Sequence, residues 1–180
     1  GCSFDVFGRT SAKVHSEMTQ SIFKRLYDNG FIKKGDMDQL WCPKCDKFLA
    51  DRFVEGHCPK CGFERARGDQ CDSCGNLLNA TELLNPSCKT CGTQPQVRTS
   101  NHLFLDLPKM SPILKAWADK QMEDGFWTQN ARTVTNSWFK EGLKERAISR
   151  DLKWGVPIPL KGYEEKVFYV WFDAPIGYIS

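Results

Sequence analysis

The sequence predicts an α/β protein that contains a distinct cysteine-rich segment, and three observations lead to this prediction. Four Cys-x-x-Cys pairs lie between Trp41 and Gly92. Apolar residues recur at helical spacing both before and after that segment, as in helices that face a core. A continuous apolar run at residues 167–172 is typical of a strand buried in a parallel sheet. With 180 residues, the chain is long enough for one or two domains.

The N-terminal part predicts an extended segment followed by a helix. Residues 4–8 predict a short extended stretch that ends at a glycine. The helix is expected to begin near Ser16 and to stop at Asn29-Gly30. Its apolar stripe consists of Met18, Ile22, Phe23 and Leu26. We interpret this stripe as a core face.

The cysteine pairs indicate metal sites. Three of the four pairs are followed at once by glycine, which suits a tight turn where backbone N–H groups approach sulfur. Eight thiolates match two tetrahedral Zn²⁺ sites with four ligands each. The ligands predicted are Cys42, Cys45, Cys58, Cys61, Cys71, Cys74, Cys88 and Cys91. Spacing alone leaves two groupings open. In the consecutive grouping, the first two pairs share one metal and the last two share the other. In the nested grouping, the two inner pairs share one metal and the two outer pairs share the other.

Disulfides and iron are the alternative uses of these cysteines. Disulfides are disfavoured because no apolar leader opens the chain and a Cys-x-x-Cys pair is poorly spaced for a staple. Iron suits the same ligands, and the sequence does not separate the two metals. Few large apolar residues lie in this region, whereas one four-thiolate zinc contributes on the order of 10 kcal/mol to folding. The metal is therefore expected to be structural, with one or both sites filled.

Charge and hydropathy exclude some classes of function. Lys and Arg number 25 against 22 Asp and Glu, so the net charge of +3 does not by itself indicate nucleic-acid binding. No stretch approaches the roughly 20 apolar residues that a membrane helix needs. We therefore expect a cytoplasmic protein without a membrane partner.

A strand and two helices are predicted after the cysteines. Residues 102–107 alternate as a strand should and stop at Pro108. The first helix is expected to open at Ser111-Pro112 and the second near Thr128, with Gly142 as its stop. Their predicted core faces consist of Leu114, Trp117 and Met122 in the first helix, and Ala131, Val134 and Trp138 in the second.

The end of the chain carries the strongest sign of a substrate site. In an open α/β sheet, ligands bind just beyond the carboxyl ends of the strands. The predicted strand at 167–172 is followed directly by Asp173-Ala174-Pro175-Ile176-Gly177-Tyr178. Trp171, Asp173, Ala174, Pro175 and Tyr178 therefore stand where a small substrate would bind, and a simple turn at Asp-Ala-Pro is the alternative.

Several motifs resemble one known family. Ile148-Ser149-Arg150-Asp151 and Trp154-Gly155-Val156-Pro157-Ile158-Pro159 are similar to the return of the large class I aminoacyl-tRNA synthetases into their nucleotide-binding domain. The segment 169–178 narrows the resemblance to the methionyl-tRNA synthetase family. Asp51-Arg52-Phe53-Val54-Glu55-Gly56 and Gly68-Asp69-Gln70-Cys71 look like the zinc-bearing insertion of that family. The resemblance extends over essentially the whole chain.

This resemblance implies a Rossmann-type catalytic domain that is interrupted by a zinc-ribbon or zinc-knuckle insertion with helices. Residues 1–40 would be a catalytic-domain segment and residues 41–100 the zinc-knuckle part of the insertion. Residues 101–147 would be its strand and helical remainder, and residues 148–180 the return to the catalytic domain. The family also implies the nested grouping, with the four inner cysteines on one metal.

The resemblance further implies that methionine, ATP and tRNA(Met) are partners of the full enzyme, and association with other synthetases is a further hypothesis. Trp171, Ala174, Pro175 and Tyr178 would line the methionine pocket. Arg150 would be a catalytic residue at the reacting centre, although a structural ion pair with a catalytic-domain carboxylate explains it equally well.

The chain also departs from the family. The His-Ile-Gly-His motif is expected before Gly1 and the Lys-Met-Ser-Lys-Ser motif after Ser180, and both are missing. We therefore expect a central fragment of a methionine–tRNA ligase that is inactive alone. The alternatives are a stand-alone zinc-ribbon scaffold module, a rubredoxin-like iron protein and a class I synthetase for another amino acid.

Overall fold

The computed structural model describes residues 1, 3, 5, 7–68, 70–76 and 78–180. Contacts divide the chain into two compact units, a first unit of residues 1–35 and 102–180 and a second unit of residues 36–101. Helices and strands are both present, which confirms the α/β class in its coarse form. Within the predicted segments, Phe4, Val6 and Asp69 lie outside the described residues.

The helices and strands are short and follow one another along the whole chain. The helices are α1 (Lys13–Asp28), α2 (Leu107–Glu123), α3 (Gln129–Glu141) and α4 (Val170–Asp173). The strands are β1 (Ile32–Cys42), β2 (Lys47–Phe48), β3 (Val54–His57), β4 (Leu84–Cys88), β5 (Gln96–Leu105), β6 (Arg146–Ala147), β7 (Ser149–Arg150) and β8 (Val167–Phe168). One sheet has the order β2-β1-β5-β6, and the pairs β3-β4 and β7-β8 form two more. A 3₁₀ turn at Ala174–Tyr178 follows α4 directly.

The core of the second unit is built around cysteines. Its buried cluster contains Leu40, Cys42, Leu49, Val54, Cys58, Ala66, Cys71, Leu78, Leu83 and Cys88. Only five members are large aliphatic side chains, as the sequence suggested. Thiol groups therefore take up much of the space that apolar residues fill in an ordinary core.

The core of the first unit joins α1 to the end of the chain. Its buried cluster contains Phe23, Leu103, Ile148, Val156, Ile158, Tyr163 and Phe168. The ring of Phe168 lies 5.0 Å from that of Phe23 and also 5.0 Å from that of Phe172. These tilted aromatic contacts hold α1 against β8 and α4.

Helix α1 exists as predicted, but its buried stripe is different. The buried residues are His15, Thr19 and Phe23, while Met18 is 36% exposed. The helix also begins at Lys13, three residues before Ser16. The apolar pattern does not include His15, which occupies a core position because it has buried partners.

Helix α2 begins earlier than the sequence predicted. Asp106 caps it, because its carboxylate accepts a hydrogen bond from the Lys109 backbone N–H at 3.1 Å. Pro108 then occupies the first turn, where a missing N–H does no harm. Pro112, which was predicted to open the helix, lies inside it. Strand β5 accordingly ends at Leu105.

The limits of α3 are confirmed, but its predicted core face is wrong. Thr128 caps the helix by accepting from the Ala131 N–H at 3.3 Å, and Gly142 follows the last turn with a φ of +84°. None of the helix residues is buried, and Trp138 is 59% exposed. On α2, Trp117 is also exposed, whereas Met122 is buried as predicted.

Among the described residues, no helix combines the length and apolar character needed to cross a bilayer.

The predicted parallel strand at residues 167–172 is wrong in two respects. Only Val167–Phe168 form a strand, and it pairs antiparallel with β7. The chain then turns into α4 at Val170. The run is continuously apolar because its apolar residues lie on two sides of a helical segment. Phe172 packs against the core, whereas Trp171 is exposed.

Candidate metal centres and substrate face

Each cysteine pair lies on a tight turn of the same kind. In three pairs, the N–H of the following glycine donates to the carbonyl of the first cysteine at 2.7 to 2.9 Å. Gly62, Gly75 and Gly92 have φ values of +74°, +71° and +70°, which glycine adopts without strain from a Cβ atom. Asp46 takes the same place after Cys45 with a φ of +47°, which aspartate tolerates better than most residues.

The structure brings the four pairs together in nested order. The outer group consists of Cys42, Cys45, Cys88 and Cys91, and the inner group of Cys58, Cys61, Cys71 and Cys74. Within each group, the four Sγ atoms lie within 4.8 Å of one another. The nesting follows from strand pairing, because β3 and β4 are antiparallel with Val54 opposite Cys88. The inner cysteines therefore belong to the connection between these two strands.

The distances between thiols fit tetrahedral coordination. A tetrahedral site with Zn–S bonds of about 2.3 Å has sulfur atoms about 3.8 Å apart. Facing cysteines have Sγ–Sγ distances of 3.4 and 4.0 Å in the outer group and 3.8 and 3.7 Å in the inner group. Four thiols leave no open position, so each group suits a closed structural site. Iron would accept the same set of ligands.

Local hydrogen bonds prepare some of these thiols to ionise. The side-chain amide of Asn76 donates to Cys74 Sγ at 3.1 Å and, with its backbone N–H, lowers the pKa of that thiol to about 6. Hydrogen bonds from Thr93 likewise lower the pKa of Cys91 to about 6. Hydrogen bonding to Cys91 in turn raises the pKa of Cys45 to about 12. The outer group thus contains a thiol that must lose its proton, so metal binding there would release protons.

The residues predicted to line the methionine pocket lie on one helical segment, formed by α4 and the 3₁₀ turn after it. They are Trp171, Ala174, Pro175 and Tyr178. Their spacing puts them along the same side of the segment. Trp171 is 74% and Tyr178 93% exposed, whereas Ile176 on the opposite side is buried. The structure therefore brings the four together as an exposed apolar surface, which we call the Trp171 face.

Behind the Trp171 face lies a buried polar contact that the sequence analysis missed. His15 is 1% exposed, and its Nε2 lies 3.6 Å from Asp173 Oδ2. Its Nδ1 lies 3.0 Å from Ser180 Oγ. Burial raises the pKa of the Asp173 carboxyl, although His15 opposes that shift. The four-residue spacing of His15, Thr19 and Phe23 was the available signal, and the contact ties α1 to the segment that carries the face.

Arg150 lies on β7 with its guanidinium stacked on an aromatic ring. The Cζ atom is 3.8 Å from the centre of the Tyr169 ring. Nη1 donates to the carbonyl of Ser149 at 2.8 Å and to that of Ala147 at 3.4 Å. The guanidinium is therefore held by stacking and by backbone carbonyls. Its predicted role at a reacting centre stays a prediction.

A shallow cavity in the second unit is lined by none of the predicted methionine residues. It has a volume of about 260 Å³, and most of its lining side chains are charged. Its lining is formed by Glu55, Phe63, Arg65, Arg67, Asp72 and Lys89. Lys89 pairs with Glu55 at 2.8 Å and Arg67 with Asp72 at 3.7 Å. These pairs neutralise most of the charge, and the largely charged lining does not suit a thioether.

Comparison with known proteins gives a consistent result. A family model described as "tRNA synthetases class I (M)" matches residues 1–180. The chain is 57% identical over 180 residues to the cytoplasmic methionine–tRNA ligase of Mus musculus, covering 100% of the chain and 20% of that protein. It is 54% identical over 178 residues to the methionine–tRNA ligase of Treponema denticola, covering 99% of the chain and 22% of that protein. The chain thus spans about a fifth of the length of the curated relatives that it matches.

A solved structure has the same fold. It is the Mycobacterium tuberculosis methionyl-tRNA synthetase in complex with methionyl-adenylate, with a TM-score of 0.58 and 21% identity. The similarity covers 98% of this chain and 30% of that one.

Proposed function

This chain belongs to the class I tRNA synthetase (M) family, and we propose on that premise that it forms the central part of a methionine–tRNA ligase. The observation that carries the proposal is the 57% identity to a methionine–tRNA ligase over all 180 residues. The activity is proposed for the full-length protein that contains the chain. The two alternatives, a zinc scaffold and a rubredoxin-like carrier, would not require similarity over the whole chain.

The proposed reaction has two steps. In the first, a carboxylate oxygen of methionine bonds to the α-phosphorus of ATP, and the bond to pyrophosphate breaks. In the second, a hydroxyl of the terminal adenosine of tRNA(Met) attacks the carbonyl carbon of methionyl-adenylate, and AMP leaves. Both steps depend on holding the reactants in line and on stabilising charge that develops on oxygen.

In this proposal, the Trp171 face forms one wall of the methionine pocket. Two aromatic rings with an alanine and a proline between them make a largely apolar surface, which suits a polarizable thioether. The exposure of Trp171 and Tyr178 supports the role, since a large apolar surface that is kept free of the core is available for a ligand. Selectivity would be limited, because one methylene in such a pocket is worth about 1–3 kcal/mol.

Arg150 is proposed to stabilise negative charge during the first step. Its guanidinium keeps its charge at any relevant pH, and stacking on Tyr169 fixes its plane. A fixed cation is most effective where carboxylate or phosphate charge develops in the transition state. The other interpretation, a structural ion pair, predicts that its removal lowers stability more than the rate.

Both cysteine groups are proposed to hold structural zinc. When bound, each zinc would supply on the order of 10 kcal/mol of folding free energy. Residues 41–100, which lie within the second unit, would then be the zinc-ribbon part of an insertion, with residues 101–147 as its remainder. Residues 1–40 and 148–180 would belong to the interrupted Rossmann-type catalytic domain. A cytoplasmic location follows the names of several relatives, and association with other synthetases stays a hypothesis.

The test is methionine-dependent exchange between ATP and pyrophosphate in the full-length protein. We expect Trp171→Ala to raise the methionine KM at least about tenfold, because it removes apolar contact area from the pocket. Trp138→Ala is the matched control, since Trp138 is also an exposed tryptophan, on α3. A wild-type protein that shows no methionine-dependent exchange would overturn the proposed function, and an unchanged KM in the Trp171 variant would overturn the assignment of the face.

A further inference from the structure

A chain of a buried serine, a buried histidine and a half-buried aspartate lies next to Arg150. His102 of β5 is fully buried, and its Nδ1 lies 2.8 Å from Ser149 Oγ. Its Nε2 lies 3.0 Å from Asp151 Oδ2. The other carboxylate oxygen of Asp151 pairs with Lys166 Nζ. Both ring nitrogens of this histidine therefore have partners within hydrogen-bonding distance.

The same three residue types form the triad of serine hydrolases, but this chain is not built for hydrolysis. Ser149 is fully buried, so no carbonyl group of a substrate can reach its hydroxyl. Its Oγ already accepts a hydrogen bond from the Leu103 N–H at 2.9 Å. The serine also contacts Nδ1 of the histidine, whereas in the hydrolases it contacts Nε2. A different role must explain why a histidine and a serine are buried here beside a half-buried aspartate.

The two partners of His102 flank Arg150 in the sequence. Alternate residues of an extended strand point to the same side, so His102 binds both neighbours of Arg150 from one side of β7. On the other side, the guanidinium stacks on Tyr169 at 3.8 Å and donates to the Ser149 carbonyl. Strand β7 is only two residues long and pairs with β8 alone among the described strands. Backbone pairing of β7 is therefore short, and the His102 contacts add two side-chain anchors to it.

We propose that His102 is a positioning residue that acts through Arg150 in the activation of methionine. The inference rests on the proposed function, because it needs Arg150 at the reacting centre. A cation that stabilises a transition state must be held to within a fraction of an ångström, and an error of about 1 Å can lower a rate by two orders of magnitude. By holding Ser149 and Asp151, His102 fixes the Cα position from which the Arg150 side chain starts.

A double-mutant cycle in the full-length protein tests this proposal. His102→Leu keeps much of the volume and removes both hydrogen bonds, whereas His102→Gln keeps an N–H near Asp151. We expect His102→Leu to lower kcat of methionine-dependent ATP–pyrophosphate exchange by about 10- to 100-fold, with the methionine KM within about twofold. His102→Gln should recover part of that loss. In the background of Arg150→Ala, His102→Leu should cause no further loss beyond about twofold.

A matched core variant separates positioning from general destabilisation. Ile158 is 3% exposed in the same core, and Ile158→Ala should lower the melting temperature while leaving kcat within about threefold. The positioning role is wrong if the fold-losses in kcat of His102→Leu and Arg150→Ala multiply in the double variant. It is also wrong if His102→Leu leaves kcat unchanged. Full exchange activity in Arg150→Ala would also overturn it. If the wild-type protein shows no methionine-dependent exchange, the proposed function fails, and the inference fails with it.

Discussion

Pairs of cysteine substitutions can decide how the thiols share metal. Cys42→Ser with Cys88→Ser removes two ligands from the outer group only. Cys42→Ser with Cys58→Ser removes one ligand from each group. If the nested groups each hold one zinc, the first variant should retain one zinc per chain, and the second should lose both or bind them weakly. Consecutive pairing of the motifs predicts the reverse result.

The structure also indicates how large the effect on folding should be. The core of the second unit contains five large aliphatic side chains, each of which contributes about 1.5–3 kcal/mol when buried. Together they supply roughly 8–15 kcal/mol. One four-thiolate zinc is expected to contribute a comparable amount, on the order of 10 kcal/mol. Loss of one metal should therefore destabilise this unit severely, and loss of both should unfold it.

Elemental analysis of the purified protein gives the metal stoichiometry, and hydrogen exchange of residues 36–101 reports the folding of the second unit. Thr90→Ala is the control, since Thr90 is exposed between Cys88 and Cys91 and is not a ligand. One zinc in the Cys42/Cys58 variant and none in the Cys42/Cys88 variant would refute the nested assignment. A wild-type protein without tightly bound metal would refute the metal proposal altogether, and a red, iron-loaded protein would refute zinc.

Three further predictions concern the first unit. Gly155→Ala should lower the melting temperature by an amount that corresponds to about 1–3 kcal/mol, because the residue has a φ of +146° and a Cβ atom would lie 2.9 Å from Val167 Cβ. Phe23→Ala should destabilise the unit by about 3–5 kcal/mol in a denaturant titration, because the side chain is 1% exposed. The Lys33 ammonium lowers the pKa of Asp106, so this carboxylate stabilises the fold at neutral pH, and its contribution should disappear as the pH falls below about 4. Asp106→Asn should flatten that part of the curve of stability against pH, and an unchanged acid transition would contradict this account.

More of the cysteine groups than of the Trp171 face could be predicted from the sequence. Glycine after a Cys-x-x-Cys pair specifies a local turn, and the turns at Gly62, Gly75 and Gly92 form as expected. Which turns meet depends on the pairing of β3 with β4, which local spacing does not encode. The grouping therefore came only from the family resemblance, and the structure has the same nested order.

The errors near the C-terminus have a similar cause. An apolar run can be a buried strand or a helix with apolar residues on two sides, and residues 167–172 are divided between β8 and α4. The same limit applies to polar residues in the core. His15 and His102 lie in otherwise ordinary segments, and their buried positions depend on partners such as Asp173 and Ser149 that are distant in the sequence.

The enclosure of one cysteine group by the other has a consequence for the order of assembly. Cys58 and Cys74 are 16 residues apart, whereas Cys42 and Cys91 are 49 apart. Chain entropy makes closure of the longer loop less favourable by about 1 kcal/mol. Once the short loop is closed, the long one has fewer free residues to restrict. We therefore expect the inner metal to bind first and to act as a nucleus, so that the outer metal completes a hierarchical folding sequence.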